Sequence, residues 1–268
     1  MRAAIYDGPH SIELGERPDP VLASPTDAVV RVVLACVCGS DLWYYRGESP
    51  HALGPIGHEF MGVVDQVGSA VRGIGAGDLV IAPFTYSDGT CAHCRAGWTS
   101  NCIAGGAFGS NGIDGRQGEA VRVPFAGSTL VRVPGEGHSD DTLRSLLTLS
   151  DVMCTGHHAA VSASVKHGDT IAVVGDGAVG VCAIIASRRL GAARIIALSR
   201  NPVRDRAPGF GRRSGGGTTR SRGPHRDRDL PQHWTPRRRG SGAQVHSRAA
   251  RRCARGPYPA RARLRFRD

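Results

Sequence analysis

Lysine is almost absent from this chain: Lys166 stands alone beside 33 arginines. So one-sided a choice of cation points to a GC-rich coding sequence rather than to a surface selected for binding. No apolar run reaches the length of a membrane-spanning helix, and no apolar signal opens the chain, so a soluble cytoplasmic protein is the expectation. Acidic residues are scarce in one region only. Residues 1–200 hold 15 Lys+Arg against 19 Asp+Glu, a net charge of −4, whereas residues 201–268 hold 19 against 4, a net of +15. The overall charge of +11 therefore belongs to the last quarter and does not describe a basic protein. Long helical periodicity is missing from residues 1–135. After Arg200 both apolar periods, 2 and 3.6, are missing, so residues 201–268 lack the apolar surface needed to offset the entropy of ordering them.

What the first 200 residues do contain is short strands punctuated by Gly and Pro. Arg2–Tyr6, 27–37, 61–67, 78–82 and Ala120–Val123 are rich in Val, Ile or Ala and bounded by turn residues. They predict a compact, mostly antiparallel β domain, and at 268 residues the chain has length for a core and for a second domain. From Asp140 the character changes, and 141–149 and 151–164 read as helices. Thr170–Val174 then reads as a buried parallel strand. It runs into Gly175-Asp176-Gly177-Ala178-Val179-Gly180, an apolar helix to Leu190, and a second strand over Arg194–Leu198.

A lone G-x-G-x-x-G says little, since a tight turn also needs glycine. Between strand and helix of a βαβ unit it becomes the dinucleotide fingerprint, with Gly175, Gly177 and Gly180 letting a pyrophosphate rest on backbone N–H groups at the helix N-terminus. An NAD site would place Asp or Glu at the end of the second strand. This chain has Ser199-Arg200, and arginine suits the 2′-phosphate of NADP, so NADP is the expected cofactor and NAD the alternative. The plainer reading of Arg200 is a solvated cation after a strand.

Two further stretches hold metal-binding residue types. The first reads Cys36-Val37-Cys38-Gly39-Ser40-Asp41 and, after a linker, Gly57-His58-Glu59-Phe60-Met61-Gly62. Zinc takes S and N ligands, and a catalytic zinc keeps one position open. Taken singly, Cys38 would be a buried thiol and His58 a core histidine. The second stretch places Asp88, Cys91, Cys94 and Cys102 at spacings x2, x2 and x7. A C-x2-C with a third cysteine nearby is a zinc signal where thiols stay reduced, with His93 a second candidate beside Asp88. Without metal the same lobe would be three ordinary thiols.

Together the C-G-S-D and G-H-E-x-x-G runs resemble the catalytic-zinc segment of the medium-chain zinc-dependent alcohol dehydrogenases, of the bacterial secondary-alcohol type. The resemblance implies an α/β protein with a β-rich N-terminal part: a GroES-like catalytic domain over 1–149, then an incomplete Rossmann, doubly wound domain over 150–200. Gly62-Val63-Val64-Asp65-Gln66-Val67-Gly68 followed by Gly77-Asp78-Leu79-Val80 is a pattern common in that GroES-like fold. The family's structural-zinc lobe carries four cysteines, and Asp88 stands here for the first of them. Its third catalytic ligand lies four residues before a Thr-Gly pair, which is Asp151 before Thr155-Gly156; Cys154 competes, and the plainer reading of Asp151 is a residue favoured at a helix N-terminus. The resemblance implies zinc on Cys38, His58 and Asp151, Ser40 as a relay hydroxyl, Asp41 as the carboxylate orienting the histidine, and Glu59 close to the metal. Plainer roles are a turn serine for Ser40 and a helix N-cap for Asp41. Some relatives carry a histidine three residues past the relay serine; here it is Trp43, which would shape an apolar substrate pocket.

The activity implied is hydride transfer between an alcohol, or its carbonyl, and NADP, without a membrane partner. The family's homo-oligomer is a weaker implication for so incomplete a chain. Residues 201–268 form an Arg/Gly/Pro-rich tail where further sheet strands should stand, so turnover by this chain does not follow from its motifs. A second reading, an arginine-rich nucleic-acid binder on a zinc scaffold, has only Phe210, Trp234, Tyr258 and Phe266 as aromatics in that tail and no recognisable motif. A zinc-free, quinone-reductase-like relative is opposed by the Cys38, His58 and Asp151 constellation.

Overall fold

The computed structural model describes residues 1–109 and 115–199 and the backbone of Gln244–Ser247. It forms two compact units divided between Asp151 and Val152.

In the first unit, β1 (Arg2–Tyr6) pairs antiparallel with β2 (Ile12–Glu16). The sequence reading leaves β2 out, because its side chains are mostly exposed and backbone pairing alone defines it. Next come β3 (Ala28–Cys36), the short helix α1 (Asp41–Tyr45), β4 (Gly54–Pro55), β5 (Glu59–Val67) and β6 (Leu79–Ala82). A lobe built from β7 (Thr85–Tyr86), α2 (Ala92–Arg95) and β8 (Gly106–Ala107) follows, then β9 (Ala120–Val123), α3 (Ala126–Thr129), β10 (Val131–Arg132) and α4 (Asp140–Leu147). The central antiparallel sheet has the order β10-β6-β5-β3-β9, and β1 lies between β2 and β4 in a smaller sheet.

Strand alternation fills both faces of the central sheet. Phe60, Val64, Val80 and Ala82 join Val30, Val121 and Val123 in one buried cluster. Their neighbours Met61 and Ile81 point the other way, into a second cluster with Val133 and Leu147, against which Leu143 and Leu146 pack. The last three are leucines of α4, so that helix covers the second face with its apolar side. Ser139 caps α4 by accepting from the Thr142 N–H at 3.3 Å, with Asp140 and Asp141 in the first turn where the helix dipole favours negative charge. The strand expected over 61–67 begins two residues earlier, at Glu59, because β3 continues opposite it as far as Cys36.

The second unit holds α5 (Val152–Ser162), β11 (Thr170–Val174), α6 (Ala178–Arg189) and β12 (Arg194–Leu198). β11 and β12 run parallel, and Ile171 and Val173 are buried with Ala160, Ala183 and Ala186 of the two helices. β11, α6 and β12 form a βαβ unit, the kind from which doubly wound sheets are built. On its other edge β11 pairs antiparallel with β13 (Gln244–Ser247), a strand that the composition of the tail does not announce. The remainder of 201–268, and the tail character expected for it, lie outside the described residues.

Candidate functional site

Strand pairing brings the two distant motifs of the first unit together. A register shift between Val32 and Leu34 leaves Cys36 directly opposite Glu59, so Cys38 follows the end of β3 where His58 precedes the start of β5. Gly62 makes the approach possible: a Cβ there would stand 2.2 Å from the Arg31 carbonyl oxygen. Asp151 arrives from the far end of the unit, after α4 and the 3-10 turn Thr148–Ser150. One ligand atom each from Cys38, His58, Glu59 and Asp151 then lies within 4.8 Å of the others.

Individual distances describe the group. His58 Nε2 is 3.3 Å from Asp151 Oδ2, and Cys38 Sγ is 3.5 Å from the same oxygen. The other ring nitrogen, Nδ1, faces Asp41 Oδ1 at 3.4 Å. Asp41 is buried, and its second oxygen accepts the Cys38 N–H at 2.9 Å. It is the first residue of α1 and not its cap; Ser40 holds the cap position, with no capping bond from its side chain. Cys154 is exposed and is not one of the four. The ring of Phe84 meets the His58 ring edge-on at 6.1 Å, a neighbour that no sequence signal announces.

Electrostatics at the group are those of negative charge drawn together in a partly buried place. Burial by itself would lower the His58 pKa, but hydrogen bonds to Asp151, Asp41 and Cys38 outweigh it and raise it to about 12. Burial raises the Glu59 carboxyl above its usual range, and burial together with the Glu59 hydrogen bond pushes the Cys36 thiol far up. Cys36 Sγ donates to Glu59 Oε2 at 2.7 Å, while Glu59 Oε1 is buried without a hydrogen-bond partner. An unpaired buried carboxylate oxygen beside a thiol, an imidazole and a second carboxylate fits a divalent cation of zinc's ligand taste.

The lobe forms a second group, in which Asp88, Cys91, Cys94 and Cys102 also bring ligand atoms within 4.8 Å of one another. Asp88 Oδ1 accepts the N–H groups of Thr90 at 2.8 Å and Cys91 at 3.0 Å, folding the loop back on itself, and Cys91 and Cys102 sulfurs stand 3.9 Å apart. Backbone N–H groups of Cys94 and Ile103 pull the Cys91 pKa down to about 7, whereas burial pushes Cys94 up to about 12. Asp88 is held below the usual carboxylate range by the N–H groups of Cys91 and Thr90. His93, the second candidate, is turned away: its Nδ1 meets the Asn101 carbonyl and it is not one of the four. All seven described cysteines are free of disulfides.

In the second unit Gly175 adopts φ +117°, a conformation that favours glycine, where β11 turns toward α6, and Gly177 holds the cap position of α6. Gly180 is buried in the first turn of that helix. Ser199, just past β12, donates from Oγ to Asp176 Oδ2 at 2.6 Å, tying the second strand end to the glycine-rich turn. Arg200 lies outside the described residues.

The first unit thus carries two groups of zinc-type ligands, and the second a glycine-rich turn between parallel strands. Residues 24–135 match the alcohol dehydrogenase GroES-like domain. The medium chain reductase/dehydrogenase ucsI of Acremonium sp is 43% identical over 195 residues, covering 70% of this chain and 65% of that protein. Among solved structures, alcohol dehydrogenase TADH from Thermus sp. ATN1 superposes with a TM-score of 0.72 at 35% identity, over 76% of this chain and 59% of its own. A putative zinc-binding dehydrogenase from Sinorhizobium meliloti 1021, bound to NADP, does so with a TM-score of 0.64 at 27% identity, over 76% and 58%. Over about three quarters of its length the chain is thus similar to zinc-type, medium-chain alcohol dehydrogenases. It spans about half to two thirds of the length of the curated relatives it matches. Among the described residues no helix is long and apolar enough to cross a membrane.

Proposed function

We propose that the complete protein is a zinc-dependent oxidoreductase moving a hydride between an alcohol, or its aldehyde or ketone, and a nicotinamide dinucleotide. The observation that carries this reading is the convergence of ligand atoms from Cys38, His58, Glu59 and Asp151, with one oxygen of Glu59 buried and unpaired. Cys38, His58 and Asp151 would hold the metal, with Glu59 beside it; zinc supplies Lewis-acid stabilisation of negative charge on a substrate oxygen. Asp41 fixes the imidazole through Nδ1 and fixes Cys38 through its N–H, so one carboxylate orients two ligands. Ser40, whose side chain makes no capping bond to α1, would accept the alcohol proton and pass it outward. Asp88, Cys91, Cys94 and Cys102 hold a second, structural zinc.

Gly175, Gly177 and Gly180 receive the pyrophosphate at the start of α6. Ser199-Arg200 favours NADP over NAD, in keeping with the NADP carried by the Sinorhizobium neighbour. The cytoplasm is the compartment that suits free thiols as ligands. Two measurements on the purified chain test the reading: zinc content, expected at two equivalents, and alcohol-dependent reduction of NADP and NAD. A chain without zinc after refolding in its presence sinks the reading. Zinc without turnover leaves the site assignment standing and restricts the activity to a longer chain.

A further inference from the structure

Cys36 is assigned no role by the motifs or by the reading above, yet it touches the site's most unusual atom pair. It is the last residue of β3 and lies directly opposite Glu59, the first residue of β5. Opposed side chains on paired strands share a face and come close. Here the contact is a hydrogen bond, Cys36 Sγ to Glu59 Oε2 at 2.7 Å. The two carboxylate oxygens are thereby made unequal. Oε2 is engaged by the thiol, and Oε1 is buried with no hydrogen-bond partner.

We propose that Cys36 is a positioning residue, whose thiol clamps the Glu59 carboxylate and so fixes its stance toward the metal position formed with Cys38, His58 and Asp151. The inference rests on the metal reading of that group. A carboxylate at the end of a flexible side chain otherwise has two equivalent oxygens and several rotamers, and each alternative dilutes the arrangement that meets the ion. Holding one oxygen removes those alternatives before metal arrives, as outer partners of metal ligands commonly do. The strand register supplies the clamp: Cys36 is two residues from Cys38, so the backbone that presents one ligand also presents the group that restrains Glu59.

The test uses the full chain and Co(II), which reports affinity by competition with a chromophoric chelator and geometry through its visible spectrum. Cys36→Ala should weaken Co(II) binding at this site about tenfold, the usual scale for losing an outer partner, and alter the visible bands. Cys36→Ser, which keeps a donor of similar reach, should restore most of the affinity. Glu59→Met preserves volume and removes the acceptor; in that background Cys36→Ala should have no further effect on affinity. Cys94→Ser throughout silences the lobe, so that one site is read.

Unchanged affinity in Cys36→Ala overturns the inference. So does a loss of the same size in the Glu59→Met background, or a serine variant no better than alanine, since either result means that the cysteine acts by packing. Failure of the parent chain to bind Co(II) at all would overturn the metal reading itself, and this inference with it. That failure is distinguishable because it is seen before Cys36 is touched.

Discussion

The His58 imidazole lies between two carboxylates, and that position governs its proton. With its pKa raised to about 12, His58 is an imidazolium at neutral pH until a metal displaces the proton. Metal uptake at pH 7 should therefore release about one proton from His58, with thiol ligands adding to the total; titration calorimetry in buffers of different ionisation enthalpy reads this directly. Each displaced proton makes apparent affinity rise about tenfold per pH unit, so binding should strengthen from pH 6 to 9. Uptake with no proton release would contradict the ligand role of His58. Asp41→Asn makes a second test at the same scale. Asparagine can still accept the Cys38 N–H but loses the charge facing His58 Nδ1, and affinity should fall about 10- to 100-fold with the fold intact by circular dichroism. Cys38, His58 and Asp151 were legible together through the family resemblance, not singly, and their ligand atoms do come within 4.8 Å of one another. Cys36, Phe84 and the fully buried Arg116 were not legible, since their roles depend on which strands pair. Arg116, for instance, lies 3.2 Å from the Phe108 ring centroid and donates to the Arg122 carbonyl, contacts that no local pattern encodes.

At the scale of elements, the β3–β5 pair determines whether the site exists. At Gly62 the strands approach so closely that any side chain collides with the Arg31 backbone. Gly62→Ala should destabilise the first unit by about 1–3 kcal/mol, the usual cost of overpacking, and should weaken metal binding because Glu59 lies on the same strand. Urea unfolding with and without zinc measures both effects; a variant as stable as the parent would show that the strands can part there without penalty. Strands with Val- and Ile-rich runs were recognisable because their apolar side chains enter a core, as Val30 of β3, Phe60 and Met61 of β5, and Ile171 and Val173 of β11 do. The two-residue strands β4, β7, β8 and β10 carry too few side chains for any period to register. Asp151 shows the same limit from another side. It reads as the start of a helix, yet its φ of −149° and ψ of −71° are not helical, and it stands between the 3-10 turn and α5. That break, invisible in the sequence, is where a ligand can leave the helical path.

For the whole molecule the decisive feature is the change of character at residue 200. Similarity to known dehydrogenases extends over about three quarters of the chain and ends well short of the relatives' own length. Over the same boundary the net charge goes from −4 across 200 residues to +15 across 68, almost wholly through arginine. A doubly wound domain adds parallel strands beyond its first two, whereas the second neighbour of β11 here is the antiparallel β13. We propose that the reading frame is shifted from about Asn201. Arginine, glycine, proline and alanine have GC-rich codons, and out-of-frame reading of a GC-rich gene enriches such residues. Phe210-Gly211-Arg212-Arg213-Ser214-Gly215-Gly216-Gly217-Thr218 is compatible with codons that, read one base later, give Leu-Gly-Ala-Glu-Val-Val-Ala-Glu, the pattern of a helix end, a glycine turn and a strand. Codon freedom makes that match permissive, so the nucleotide sequence is the test. A one-base correction near the Arg200 codon should open a frame continuing with alternating strand and helix patterns. The restored protein should bind NADP with its dinucleotide turn completed by further strands, and Arg200→Asp in it should shift preference toward NAD, read as the ratio of the two dissociation constants. Confirmation of the present frame, together with alcohol oxidation by this chain and NADP, would refute the explanation and require residues 201–268 to complete the cofactor site by another route.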